Sequence, residues 1–156
     1  MNTNDHALSN AEAWAESVTE YVKAMDPDSW DRLEELTDAD SIDAGEAEEL
    51  ASLNTLLDEY KDVEGARERA QDSILSLEVR SGWNSPGEKL EPEEFQILLT
   101  TGGPALRIRG ELGRYAEPER AWLEYQDWGT PWTEYHGPAL NHADLMTFAS
   151  IFYFGE

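Results

Sequence analysis

The chain has 156 residues, no cysteine, and 34 Asp and Glu against 11 Lys and Arg, a formal net charge of -23. That length fits one domain, 1–156. The lack of cysteine excludes a disulfide framework, a thiol nucleophile and a Cys-based metal site. The charge repels nucleic acid and anionic membrane, and no local basic patch offsets it. The longest apolar run, near Ile151–Phe154, is too short to span a bilayer, and no secretory leader pattern opens the chain. A soluble cytoplasmic protein is therefore expected.

Residues 1–73 read as an acidic helical part. Ser9-Asn10-Ala11-Glu12 has the form of a capping box. Ala11, Trp14, Ala15, Val18, Tyr21, Val22 and Met25 then recur at three- and four-residue intervals, which predicts a helix over 10–25. Asp26-Pro27 ends it and starts the next, with Asp26 as N-cap and Pro27 at the first position. Trp30, Leu33 and Leu36 face inward on that second helix. A polar loop over 37–45 brings Asp38, Asp40 and Asp43 close in sequence, but the spacing lacks an EF-hand's glycine and terminal glutamate. Asp43 to Glu46 forms a second capping pattern, and Leu50, Leu53 and Leu57 predict a helix over 44–61. Ala66, Ala70 and Ile74 carry the same period onward.

Residues 74–137 change period from 3.6 to 2. Four alternating runs predict a four-stranded antiparallel meander. Their inward residues are Leu75, Leu77, Val79; Phe95, Ile97, Leu99; Leu106, Ile108, Leu112; and Ala121, Leu123, Tyr125. Turns are expected at Thr101–Pro104 and over 113–119, with a longer loop at 81–93. Arg107 and Arg109 face outward beside Trp122 and Glu124 on the next strand. Trp128 and Trp132 flank the Gly129–Pro131 turn and are expected to pack on a C-terminal helix over 138–154, apolar nearly all round. The fold class is α+β.

Enzyme signals are thin. There is no phosphate loop, dinucleotide fingerprint, nucleophile elbow or zincin motif. His136, His142, Asp144 and Glu134 could supply metal ligands, but their spacing matches no standard pattern. No cofactor or metal is expected.

The run from Glu94 to Tyr135, and above all TGGPA (101–105) and RAWLEYQDWGTPWTE (120–134), resembles a segment of uncharacterised small acidic proteins of phages, plasmids and other mobile elements. The resemblance stops short of the helical half and carries no catalytic or binding residue with it. It implies a context in which small acidic proteins are often counter-defence factors, anti-restriction or anti-CRISPR, that occupy a nuclease's DNA-binding groove by imitating phosphate charge.

The leading expectation is thus a non-enzymatic binding protein whose acidity meets a basic protein surface. Residues 1–80 hold 22 acids and 6 bases, against 12 and 5 in residues 81–156. The expected partner-binding acids are Glu46, Glu48, Glu49, Asp58, Glu59 and Asp62, all placed on one helix. Trp122 is added as an anchor, since Trp, Tyr and Arg dominate interface hot spots. Left uncovered, its face would favour a homodimer. Two other readings stand beside this one. One is a soluble accessory protein of an acidic, salt-adapted proteome. The other is a small ligand- or metal-binding enzyme using the 125–144 region.

Overall fold

A computed structural model describes residues 3–127 and 129–155. Five helices and a five-stranded antiparallel sheet make an α+β fold.

The first helix, α1 (Thr3–Met25), starts earlier than the capping-box reading. Ser9 and Glu12 lie inside it rather than at its end. The reason is that the apolar stripe runs further back. Ala7, Ala11, Ala15 and Val18 are fully buried, so continuing the helix to Ala7 removes that methyl from water as well. A stripe of alanines also lets the helix axis lie close to the sheet. Asp26 caps α2 (Pro27–Asp38) by accepting the Asp28 N–H at 3.0 Å, with Pro27 at the first position as expected. The Trp30 indole donates to the Ala24 carbonyl at 2.7 Å. That bond satisfies one of the carbonyls the end of α1 leaves open and fixes the α1–α2 corner.

Helix α3 (Ala44–Leu57) opens with the full capping box, Asp43 accepting from the Glu46 N–H and Glu46 from the Asp43 N–H. It is shorter than the expected 44–61. Asp58 is its C-cap, and Asp62 caps a separate helix, α4 (Val63–Asp72). The six nominated acids are therefore not on one helix. An Asp at an N-cap position competes well with helix continuation, because its carboxylate satisfies orphan N–H groups.

The sheet is a meander in chain order: β1 (Ser76–Arg80), β2 (Glu94–Thr100), β3 (Ala105–Leu112), β4 (Pro118–Gln126) and β5 (Thr133–Glu134). The fifth strand, two residues long, is one more than the period predicts; it pairs with the end of β4. Phe95, Ile97 and Leu99 on β2, Leu106, Ile108 and Leu112 on β3, and Ala121 and Leu123 on β4 are buried, as the alternation requires. Leu77 and Val79 stand opposite Ile97 and Phe95, so β1 presents the expected side to the core. Even so, Leu75 and Val79 are exposed. The helices lie over β3 and β4 and leave the β1 edge uncovered.

The last helix, α5 (His142–Ala149), is capped by Asn141 and ends well before 154. It docks on both α1 and β4. Phe148 stacks near Tyr21 and Phe152, and the tail beyond α5 returns Phe154 to Phe95 at 4.6 Å between ring centres.

Candidate protein-docking surface

The acidic residues divide by what the fold already asks of them. Arg32 on α2 reaches three carboxylates: a two-pronged contact with Glu49 at 2.8 and 3.1 Å, Glu35 at 3.2 Å, and Glu46 at 3.8 Å. The hydrogen bonds it donates to Glu49 and Glu35 push the guanidinium further up from its ordinary value, and the bond from Arg32 holds Glu49 below the usual carboxylate range. Glu46 also closes the α3 capping box, and Asp62 caps α4 through the Gly65 N–H at 2.7 Å. Glu46, Glu49 and Asp62 thus have structural partners.

Glu48, Asp58 and Glu59 do not. Among the described residues none of the three is in an ion pair. Glu48 and Glu59 line a groove with Glu20 of α1, floored by Leu56 and Tyr60. Asp58 and Glu59 follow the C-terminus of α3, and Asp38 is the last residue of α2, yet neither helix has a base in its last turn. A carboxylate there faces the negative end of the helix dipole, which costs about 0.3–1 kcal/mol each when exposed. Local stability does not account for these positions.

The outer face of the sheet answers what covers Trp122. The register sets Arg109 opposite Trp122 and Arg107 opposite Glu124. Arg120 and Arg109 lie 5.5 and 5.9 Å from the Trp122 ring, and its indole donates to Glu124 at 2.9 Å. The same glutamate accepts from Arg107 at 2.7 Å, and Arg107 also donates to Gln96 at 3.0 Å. Trp132 completes the ladder by lying 3.9 Å over the Arg107 guanidinium. It does not pack on α5 as the sequence suggested. A flat guanidinium gives an indole a cation–π partner, and the turn places Trp132 on the outward side. Trp128, expected beside it, lies outside the described residues. Arg107 and Glu124 are each only 15% exposed, so this face is closed by its own side chains. Trp122 and the nominated acids lie on opposite sides of the sheet and form no single patch.

In the 125–144 region His136 lies 3.2 Å from Glu134, and Asp144 sits in the first turn of α5. Among the described residues no group of three or more His, Asp or Glu side chains converges.

A cleft of about 1310 Å³ lies elsewhere, where the 81–93 connection, the β3–β4 turn and the C-terminal tail meet. Leu90, Tyr115 and Tyr153 stand on its walls. Sequence patterning does not reveal it. Leu90 and Tyr115 lie outside the periodic segments, and Tyr153 falls in the expected 138–154 helix, which ends at Ala149 and leaves it in the tail. No family model, curated protein or solved structure matches the chain.

Proposed function

We propose that this is a non-enzymatic binding protein whose acidic helical layer docks on a basic protein surface. More specifically, it acts as a DNA-mimic inhibitor of a host nucleic-acid-binding defence complex, anti-restriction or anti-CRISPR in class. The observation that carries the reading is the set Glu48, Asp58 and Glu59: exposed, outside any described ion pair, and in the case of Asp58 and Glu59 set against a helix dipole. Carboxylates kept where the fold gains nothing from them are available to Lys and Arg of a partner. They would steer encounter and release the partner's counterions on contact. The resemblance of the 94–135 segment to mobile-element proteins supports the choice of partner class.

The test is phage plating on hosts that carry a defined restriction or CRISPR system and express the chain. Plating efficiency rises in a host whose system is the target and returns to baseline with Glu48→Lys/Asp58→Lys/Glu59→Lys. Protection that survives the triple reversal removes the helical layer from the mechanism. No rise in any such host sinks the reading.

The dispersal of the acids favours a second reading. All four N-terminal helices carry carboxylates, and the chain has only three lysines. A salt-adapted accessory protein would look the same on this count, and its stability would keep rising into molar salt.

A further inference from the structure

The cleft at the end of the sheet combines two features that seldom coincide on a strongly charged surface. Four of the seven large apolar side chains left exposed by the described residues line it: Val79 (47%), Leu90 (66%), Tyr115 (81%) and Tyr153 (76%). Apolar groups gathered on one concave surface mark interaction sites, whereas single scattered ones do not. The β3–β4 turn that holds up Tyr115 also contains the only non-glycine residue with positive φ among the described residues, Ala116 at 61°. Backbone held in that region persists where surrounding structure imposes it.

The second feature is charge. Two of the lining carboxylates are already matched, Glu94 by Arg80 on the lining and Glu111 by Arg120 outside it. Carboxylates of Glu91, Glu93 and Glu119 then remain on the lining against Lys89 and Arg114, and Arg114 lies 5.7 Å over the Tyr115 ring. The cleft thus sets exposed apolar and aromatic side chains among polar ones, with one more unmatched carboxylate than unmatched cations.

We propose that this cleft receives an extended segment of a partner protein in which basic and apolar side chains alternate. An apolar side chain packs between Leu90 and Tyr153, and flanking Arg or Lys side chains meet Glu91 and Glu119. Aromatic faces beside carboxylates suit a guanidinium or ammonium on both counts. A second copy of the chain would bring another -23 charge to these carboxylates, and nucleic acid or an anionic membrane would be repelled in the same way. The inference shares with the proposed function a basic partner, but it assigns a separate site and can fail alone.

The experiment is an NMR titration of the ¹⁵N-labelled full chain with two probes: capped Arg-Leu-Arg-Leu-Arg-Leu and hexalysine. The Arg-Leu peptide is expected to shift the signals of Leu90, Tyr115 and Tyr153 to saturation. Leu90→Ser/Tyr153→Ser should weaken it by about tenfold, as loss of interface anchors does. Both residues are exposed, so the variant keeps the fold. Hexalysine should shift the helical carboxylates instead, respond to Asp58→Lys/Glu59→Lys, and ignore the cleft variant. Equal Arg-Leu affinity in the cleft variant overturns the proposal. So does an Arg-Leu footprint on α1–α4 that matches hexalysine, or cleft shifts that grow with protein concentration before any peptide is added. Failure of the helical reading would show separately, in the plating assay.

Discussion

At the scale of single residues, two positions show how closely the core is fitted. Gly110 on β3 lies under the Phe95 ring and beside the Arg120 carbonyl, and a methyl at Gly110 would overlap both. The ring covers the backbone that the missing side chain leaves bare, so the two residues form a cross-strand pair in which one supplies no side chain. Phe95 is also held from the other side by Phe154, which limits its escape. Gly110→Ala is expected to cost about 1–3 kcal/mol, the range for overpacking a fitted core. Chemical denaturation with an unchanged m-value would check it. Tyr135 behaves differently. It is 2% exposed, and its hydroxyl faces the Ala139 backbone without a well-formed hydrogen bond. Burial pushes the phenol up from its ordinary value. A buried hydroxyl left unmatched is a cost that Phe does not carry. Tyr135→Phe should therefore leave the melting temperature unchanged or raise it. The sign of the pH dependence follows from the same shift. The fold's preference for the neutral phenol is fully present below the unfolded value and is lost as pH rises towards the folded one, so Tyr135→Phe should gain most over the parent at alkaline pH. A fall in melting temperature at pH 7 would show that the hydroxyl has a partner.

Among elements, the caps and the C-termini of the helices pull in opposite directions. Asp26, Asp43, Asp62 and Asn141 all cap as their side chains favour, each accepting a backbone N–H. Asp58 and Glu59 sit where carboxylates are disfavoured. If they serve a partner, removing them should help the fold while harming binding, the usual conflict between stability and function. Asp58→Lys/Glu59→Lys is expected to stabilise by about 0.3–1 kcal/mol per site at low ionic strength. A loss of stability on thermal unfolding would mean the two acids have structural work after all. The same contrast explains what patterning could read. Periods of 3.6 and 2 report one-sided burial, so α2, α3 and the inner faces of β2, β3 and β4 were legible. Asp26 and Asp43 were legible as N-caps because their chemistry is local, whereas Asp62, expected on the same helix as Glu46, in fact caps a new one. The start of α1 was not, since Ser9 and Glu12 match a cap in sequence while buried Ala7 extends the helix past them. Nor was β5, whose two residues are shorter than any period. The exposure of Leu75 and Val79 depends on how far the helices reach across the sheet. Their alternation gave the side they face but not whether anything covers it. The acidic surface was visible as composition. Which of its members Arg32 and the caps had claimed was a tertiary question, and so was the pairing of Arg107 with Trp132.

For the whole molecule, the governing quantity is a charge of -23 in a small volume. A folded chain of this length has a radius of gyration of about 15 Å. At about 10 mM salt the Debye length is about 30 Å, so every carboxylate feels most of the others. At about 0.15 M it falls to about 8 Å, and only near neighbours interact. Self-repulsion of this kind opposes the compact state. The ion pairs of Arg32 and Arg120 weaken with salt too, but exposed pairs are worth at most about 1 kcal/mol each and are far fewer than the unpaired acids. The balance favours screening. The melting temperature is therefore expected to rise by several degrees as KCl goes from about 10 mM to about 0.15 M, since about 1 kcal/mol corresponds to about 2–4 °C at this size. Calorimetric scans across a KCl series would measure it, and a flat or falling curve in that range would show that the carboxylates do not repel one another as their number implies. The behaviour above about 1 M separates the two readings of the acidity. There the Debye length is about 3 Å and screening has nothing further to give. A plateau leaves the charge as a binding determinant, whereas a melting temperature that climbs on through molar KCl requires specific ion uptake by the acidic surface, which is the property of a salt-adapted protein and not of a mimic.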